Sequence, residues 1–426
     1  MTVSITPSVP NGSIKAIASK SVAHRALICA AFADKGTRIL CEEINRDIEA
    51  TVLCLRALGA KITRNAPYYD VEPVSPDKVS LSASLPCGES GSTLRFLVPV
   101  VAALGADAYF VMEGRLPERP LSPLREELEA HGISFSYPEP NVLRVNGRLC
   151  GSSFSIEGNV SSQFITGLLL ALSLLHRPTE LTVTGRIESA PYINITTDAL
   201  KLFGAYPEIK ENVYRINSQG VLHSPEYLEV EGDWSNAAFP LCLGIIGKGQ
   251  VTVTGLDLGS SQGDRAITDI IRRFGGRLTA TPDGHGYFAA NSCLKGTDID
   301  ASQIPDLVPV LAVMASVADG ETRIYGAGRL RLKESDRLES VSTMLQGLGA
   351  QIRQTEDGLI ICGQKSLSGG RVNSFNDHRI AMSAAVAAAV CEGEVIIDGA
   401  EATSKSYPSF FEDMSLLGIR SRKLDQ

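Results

Sequence analysis

Leu58-Gly-Ala-Lys-Ile, residues 58–62, comes back five times along the chain: as His131-Gly-Ile-Ser-Phe, Phe203-Gly-Ala-Tyr-Pro, Phe274-Gly-Gly-Arg-Leu, Leu348-Gly-Ala-Gln-Ile and Leu417-Gly-Ile-Arg-Ser. The glycines stand at 59, 132, 204, 275, 349 and 418, so successive copies are 73, 72, 71, 74 and 69 residues apart. A period this regular makes the chain a sixfold repeat and restricts what each segment can be. Each glycine follows a stretch with helical apolar spacing, such as Ile267-Thr-Asp-Ile-Ile-Arg-Arg-Phe, and occupies the position where a helix ends in the left-handed region.

Upstream of each such helix lies a short alternating segment of strand type, of which Asp107-Ala-Tyr-Phe-Val and Gly249-Gln-Val-Thr-Val are examples. Upstream again comes an almost wholly apolar helix, clearest in Phe164-Ile-Thr-Gly-Leu-Leu-Leu-Ala-Leu and Ala384-Ala-Val-Ala-Ala-Ala-Val, and a helix apolar all round is a buried one. After each glycine turn come two hairpin strands and a third strand, as at 133–137, 142–146 and 153–157. The unit is helix, strand, helix, three strands. The sixth unit runs out with one strand at 419–423, and residues 3–6 and 13–18 have the pattern to complete it, so the N-terminal segment is assigned to the C-terminal half.

Six units exceed what one core supports, since domains hold about 100–200 residues. The expected architecture is α/β, with two similar domains of three repeats around buried helices, an inside-out α/β barrel with pseudo-sixfold order overall. The expected division is 19–230 against 1–18 plus 231–426, with a hinge near 13–20 and 229–233. Two such halves are expected to close over their ligands.

Composition fits a cytoplasmic chain: 44% hydrophobic, 21% charged, net charge −8, with no apolar run of membrane-spanning length. The opening Met1-Thr-Val-Ser-Ile lacks the basic and apolar regions of a secretory signal. Nucleic acid is a poor partner for an acidic chain without a basic stripe. The nine cysteines form no CxxC pair, and buried reduced thiols are expected rather than disulfides or metal ligands. No cofactor or metal is called for.

Polar residues gather where the buried helices start: Ser19-Lys-Ser, Gly88-Glu-Ser-Gly-Ser, Ser161-Ser-Gln, Asp233-Trp-Ser-Asn, Ile304-Pro-Asp and Asn376-Asp-His-Arg. Ser, Asp and Asn there are what any helix N-terminus wants. Capping does not account for Lys20, Arg25, Arg95 and Arg379, or for Arg119, Lys333, Arg337 and Lys405 on nearby loops, because cations oppose the helix dipole and repel one another. An acidic chain that collects cations at its helix starts is expected to bind a ligand with several negative charges. Arg suits a planar carboxylate and Lys a phosphate, so carboxylated phosphates are the expected ligand class.

These residues coincide with a known pattern. Leu332-Lys-Glu-Ser-Asp-Arg-Leu, Asn376-Asp-His-Arg-Ile-Ala-Met, Glu118-Arg-Pro, Ser161-Ser-Gln-Phe and Ser19-Lys-Ser together resemble, in order over essentially the whole chain, the 5-enolpyruvylshikimate-3-phosphate (EPSP) synthases, or 3-phosphoshikimate 1-carboxyvinyltransferases. The resemblance implies transfer of the enolpyruvyl group of phosphoenolpyruvate to the 5-hydroxyl of shikimate 3-phosphate, with a tetrahedral intermediate and release of phosphate, on the route to chorismate. It also implies a division of acid and base work between Asp306, which would take the hydroxyl proton, and Glu334, which would protonate the methylene carbon. Lys20 joins them, with His378 either a proton relay or a hydrogen-bonded support.

For phosphoenolpyruvate the resemblance implies Arg337 and Arg379 at the carboxylate and Lys20, Arg119 and Lys405 at the phosphate, with Gly91 and Gln163 close by. For shikimate 3-phosphate it implies Ser21 and Arg25 on the carboxylate side, Ser161, Ser162, Ser189 and Lys333 on the phosphate side, and Gln163 and Tyr192 near the ring. The bland readings are an N-cap for Asp306, a surface i,i+3 ion pair with Arg337 for Glu334, and a solvated basic face for the cations. The chain departs from the family pattern at Glu89 and Arg329, each where Asn is usual, and at Ser92 and Phe96. Glyphosate, an anionic competitor of phosphoenolpyruvate in that family, is expected to inhibit, since Gly91 is retained. A monomer is expected.

Two alternatives stand beside this reading. The sister family acting on UDP-N-acetylglucosamine shares the sixfold architecture but uses a cysteine on the loop before its Arg-Pro, and Met112-Glu-Gly-Arg-Leu-Pro-Glu-Arg-Pro contains none; Cys87 and Cys150 lie elsewhere in the repeat. A catalytically silent phosphometabolite-binding protein of the same fold is favoured only by loss of Lys20, Asp306 or Glu334, and all three are present.

Overall fold

The computed structural model describes residues 1–42, 44–75, 82–217 and 220–424. It divides into two compact bodies: an N-terminal body, Ala18–Val230, and a C-terminal body, Met1–Ile17 with Glu231–Gln426, so that Ala18 goes with the first body rather than the second.

The N-terminal body contains α1 (Lys20–Ala31), α2 (Arg46–Ala57), α3 (Gly91–Leu104), α4 (Leu124–Ala130), α5 (Ser162–Leu172) and α6 (Ala190–Leu202). The C-terminal body contains α7 (Trp234–Ile246), α8 (Ile267–Arg273), α9 (Val308–Ala315), α10 (Arg337–Gly347), α11 (His378–Ala387) and α12 (Phe410–Leu416). The odd-numbered helices are the apolar ones. Every residue of α9 and α11 is buried, and in α5 only Gln163 is not. The even-numbered helices are shorter or amphipathic and end at the repeat glycines, all of which have positive φ, from 77° at Gly204 to 113° at Gly59. A residue with a Cβ is strained there, and that is why the glycine recurs at each unit.

Among the described residues the strands form six four-stranded sheets, one per repeat. Each sheet pairs the third strand of one unit, in parallel, with the first strand of the next: Ser82–Gly88 with Asp107–Met112, Ser153–Glu157 with Pro178–Thr184. Two pairings then close rings. Tyr227–Glu229 returns to Thr37–Leu40, with Leu228 opposite Ile39, and Asn11–Lys15 pairs with Gln250–Thr254, with Val251 opposite Gly12. Thr2–Thr6 lies between Val395–Asp398 and Arg420–Leu424 and supplies the strand that the sixth unit lacks. Asn11–Lys15 is thus the third strand of the sixth unit and pairs with the first strand of the fourth, as the third strand of each unit does with its successor.

Burial follows. Each body has one apolar core, built from its odd-numbered helices, the apolar faces of its even-numbered helices and the inward face of its sheets. Helices α3 and α5 approach so closely that a Cβ on Gly167 would run into the Arg95 carbonyl oxygen. Six cysteines are buried, whereas Cys150, Cys293 and Cys362 are exposed, a correction to the expectation of buried thiols throughout. Among the described residues no helix is long and apolar enough to cross a membrane.

Candidate active site

In the N-terminal body the starts of α1, α3 and α5 carry the predicted residues, and a continuous polar network joins them. Lys20 opens α1, and its Nζ is 2.9 Å from Asp47 Oδ2 in the first turn of α2. His24 contacts Thr51 (2.7 Å), Thr51 contacts Thr93 (2.7 Å), and Thr93 donates to Ser90, the N-cap of α3 (2.8 Å). Burial and the charges of Lys20 and Arg25 hold the His24 imidazole well below its ordinary pKa, so it stays neutral.

Arg25 is 2% exposed and fully engaged inside the body. Its Nε donates to Thr196 (2.8 Å), Nη1 to the Ser21 carbonyl (2.6 Å), and Nη2 to Thr166 (3.1 Å) and the Tyr192 carbonyl (2.9 Å). The ring of Phe96 lies 4.9 Å from its guanidinium carbon, which gives that departure from the family pattern a local role. Burial pushes the guanidinium down to about 9. Arg25 thus ties α1 to α5 and α6, and through its carbonyl partners it fixes the backbone of Ser21 and Tyr192.

Gln163, beside the N-cap Ser161 and the buried Ser162, accepts from Arg95 Nη1 (2.7 Å) and donates to Ser92 Oγ (3.0 Å). Ser189 is buried with φ 54°, a left-handed conformation that a serine rarely adopts. Strain of this kind costs about 1–3 kcal/mol and collects at functional positions. Gly91 is the first residue of α3, and a Cβ there would sit 2.8 Å from Arg119 Nη1. The Glu89 carboxyl packs against Gly114, where a Cβ would come within 2.7 Å of it.

In the C-terminal body the predicted residues converge on one buried guanidinium. Arg337 opens α10 and is 1% exposed at its side chain. Its Nε donates to Asp377 Oδ2 (2.8 Å), Nη1 to Asp306 Oδ1 (2.8 Å) and Nη2 to Glu334 Oε2 (2.7 Å). Burial alone would lower its pKa, but the charges of Asp377, Glu334 and Asp306 reverse this and raise it. The Glu334–Arg337 pair is therefore not the surface ion pair that i,i+3 spacing allowed. Asp306 is not an N-cap either: it sits inside the 3-10 turn Pro305–Leu307 that precedes α9.

Asp306 is also reached by Lys333 Nζ (3.6 Å) and by Arg379, whose Nη2 is 3.2 Å from Oδ2 and whose Nη1 donates to the Asp306 carbonyl (3.0 Å). Burial lowers the Lys333 ammonium, with the Asp306 charge partly offsetting it. Asp377 caps α11 by accepting from Arg379 N (3.0 Å), and it takes a further bond from Ser335 Oγ (3.1 Å). His378 follows it, 2% exposed, with Nδ1 3.9 Å from Asp377 Oδ1. Phe375 and Asn376 both have positive φ (54° and 55°), and the Asn376 carbonyl accepts from Lys405 Nζ (2.8 Å). Arg329 donates to the Ser302 carbonyl (3.1 Å).

The cations at the helix starts thus have partners within the chain: Asp47 for Lys20, Asp306 for Arg379 and Lys333, three carboxylates for Arg337, and a carbonyl for Lys405. Sequence reasoning saw the cations and read them as a demand for an external anion. The fold adds that Asp47, Asp306, Glu334 and Asp377 already balance them, of which only the Glu334–Arg337 pairing is legible from its i,i+3 spacing. Asp377 is a site residue that the local sequence does not reveal. It lies within Asn376-Asp-His-Arg, where its position before a helix signals only a cap.

Such a site can bind anions and move protons between carboxylates held in different electrostatic settings. Against known proteins, the sequence model of the EPSP synthase (3-phosphoshikimate 1-carboxyvinyltransferase) family matches residues 6–414. A 3-phosphoshikimate 1-carboxyvinyltransferase of Clostridium perfringens is 42% identical over 420 residues, covering 98% of each chain, and one of Clostridium acetobutylicum is 40% identical over 423 residues, covering 98% of this chain and 97% of the relative. The solved structure of the EPSP synthase from Acinetobacter baumannii superposes with a TM-score of 0.81 at 25% identity, covering 99% of this chain and all of the other.

Proposed function

The chain belongs to the EPSP synthase family and transfers the enolpyruvyl group of phosphoenolpyruvate to shikimate 3-phosphate, and on that premise we propose how its own residues divide the work. Asp306 takes the proton of the 5-hydroxyl as its oxygen bonds to C2 of phosphoenolpyruvate, while Glu334 delivers a proton to C3. In the second half the tetrahedral intermediate returns the C3 proton to a carboxylate and expels phosphate, restoring the double bond. The observation that carries this reading is the bracketing of Arg337 by Asp306, Glu334 and Asp377 at 2.7–2.8 Å, which holds two candidate proton carriers on one rigid, buried cation.

In the C-terminal body Arg337 and Arg379 recognise the phosphoenolpyruvate carboxylate and Lys405 its phosphate. In the N-terminal body Lys20 and Arg119 serve that phosphate, with Gly91 and Gln163 beside it. Ser21, with Arg25 fixing its carbonyl, serves the shikimate carboxylate; Ser161, Ser162, Ser189 and Lys333 serve its phosphate, and Tyr192 lies by the ring. His378 supports Asp377. Charge-assisted bonds of this kind contribute about 1.5–3 kcal/mol each. A substrate anion therefore has to displace Asp47 or Asp306 from its cation, and this favours ligands with two or more negative groups.

Glyphosate competes with phosphoenolpyruvate at the same cations, and the chain acts as a cytosolic monomer. The test is phosphate release from phosphoenolpyruvate that depends on shikimate 3-phosphate. Asp306→Ala is expected to abolish it, and full activity in that variant, or activity with a UDP-sugar acceptor, overturns the assignment.

A further inference from the structure

Beneath the helix starts of the N-terminal body lies a second polar layer to which the roles above give no part. Lys20 and Asp47 form the ion pair of the upper layer, and one turn further along each helix stand His24 in α1 and Thr51 in α2. Beside Gly91, Ser90 caps α3, and Thr93 lies in its first turn. His24, Thr51, Thr93 and Ser90 are each at most 1% exposed, and they touch in that order at 2.7, 2.7 and 2.8 Å. A fourth contact, from the Thr93 hydroxyl to the Asp47 carbonyl (3.4 Å), joins the lower layer to the upper.

The direction of this chain follows from counting hydrogens. A hydroxyl has one to give, and Thr93 gives its hydrogen to Ser90, with the Asp47 carbonyl as the more distant acceptor. The Thr51–Thr93 contact therefore uses the hydrogen of Thr51, which leaves the ring nitrogen as the only donor for the His24–Thr51 contact. His24 thus carries its proton on Nδ1, and Nε2 is the bare nitrogen. That atom is buried with no hydrogen-bond partner among the described residues. Burial, with the charges of Lys20 and Arg25, keeps a second proton off the ring. Ser90 Oγ, which also accepts from Thr93 N (3.3 Å), ends the chain as the cap of α3.

We propose that His24 is a positioning residue whose Nδ1–H starts a one-way hydrogen-bond chain through Thr51 and Thr93 to Ser90, fixing the first turn of α3 at Gly91 against the Lys20–Asp47 pair. The proposal rests on the reading that Lys20 and Gly91 serve the phosphate of phosphoenolpyruvate. Only a group that both accepts and donates can fill the two middle positions, so serine can replace either threonine, and valine, of nearly the same shape, cannot.

Two measurements test it. In protein made with isotope-labelled histidine, long-range proton–nitrogen NMR is expected to show a protonated Nδ1 and a bare Nε2 for His24 at neutral pH, its signal being the one of six that is missing from His24→Gln. The opposite tautomer, or a charged ring, overturns the proposal. In steady-state kinetics with shikimate 3-phosphate saturating, Thr51→Val is expected to raise KM for phosphoenolpyruvate about tenfold, the equivalent of one buried hydrogen bond lost, while kcat changes less than about twofold. Thr51→Ser is expected to restore both. A merely structural fault lowers the fraction of active enzyme, and so kcat, at an unchanged KM; that result, or a KM that Thr51→Ser does not restore, overturns the proposal. If Thr51→Val does not fold, Thr93→Val breaks the next link and is judged by the same split, with Thr93→Ser as its rescue. Lys20→Met is measured alongside. A wild-type KM for phosphoenolpyruvate there defeats the phosphate reading, whereas a raised KM or lost turnover there, with an unmoved KM in the valine variant, defeats only the role of His24 and its chain.

Discussion

Arg337→Met removes the cation from a nest of three carboxylates and tests whether that nest is structural as well as chemical. Asp377 is wholly buried, while the Asp306 and Glu334 side chains keep 16% and 24% of their exposure, so the three do not suffer equally. Solvent can still reach Asp306 and Glu334, which discounts their share. Asp377 has no such relief: its Oδ2 loses the Nε donor at 2.8 Å and keeps only Ser335. Breaking a buried pair by removing one partner costs about 3–5 kcal/mol, chiefly through the charge left behind. That is the expected loss here, with Asp377 dominating it.

The chain supplies its own probe. Its single tryptophan, Trp234, is buried in the C-terminal body, the body that holds Arg337, and donates Nε1–H to the Asp257 carbonyl at 3.0 Å. Tryptophan emission during urea unfolding therefore follows that body and avoids treating a two-body chain as a single transition. Arg337→Met is expected to lower its stability by about 3–5 kcal/mol, and adding Asp377→Asn to recover about 2 kcal/mol, in the range of coupled neighbours. A loss under about 1 kcal/mol, or no recovery in the double variant, would show that the nest does not hold Arg337 as argued.

Gly91→Ala sets a methyl 2.8 Å from Arg119 Nη1 and must shift that guanidinium, so KM for phosphoenolpyruvate and the glyphosate inhibition constant should both rise while the urea midpoint changes little; steady-state kinetics with each ligand checks this. Asp264, buried in the C-terminal body, bears on stability: its carboxyl is raised from 3.8 to about 6, so the folded state resists its ionisation, and stability that is complete below pH 3.8 is lost as pH rises through about 6. Asp264→Asn should then stabilise the C-terminal body at pH 8, by up to about 3 kcal/mol, and give no gain at pH 4, read from the tryptophan transition at the two pH values. Leu169→Ala empties a fully buried site in α5 and is expected to cost about 2–5 kcal/mol, seen in the thermal transition of the N-terminal body. Ser189→Gly relieves the left-handed backbone at φ 54° and should leave stability unchanged or raised by about 1 kcal/mol, while KM for shikimate 3-phosphate rises with loss of the hydroxyl.

Much of the fold is written locally. The recurring glycine needs positive φ wherever it occurs, the alternating segments after it can only be strands with one face in, and the helices before them are too apolar to sit anywhere but inside a core. Those are short-range properties of φ, ψ and hydrophobic period, and reading them in sequence yields the unit, its count and the buried helices. The identities of the cations at the helix starts are legible in the same way, because a Lys or Arg against the helix dipole is conspicuous in one dimension.

Which strand completes which sheet is a different matter. That Tyr227–Glu229 returns to Thr37–Leu40, and that Asn11–Lys15 pairs with Gln250–Thr254, depends on ring closure across roughly two hundred residues. No local pattern specifies such a partner. The same holds for charge: Asp47 and Asp377 look like an ordinary first-turn acid and an N-cap until folding brings Lys20 and Arg337 against them. A carboxylate's role is fixed by the desolvation it suffers and the charges it meets across space, and both exist only once distant segments have packed.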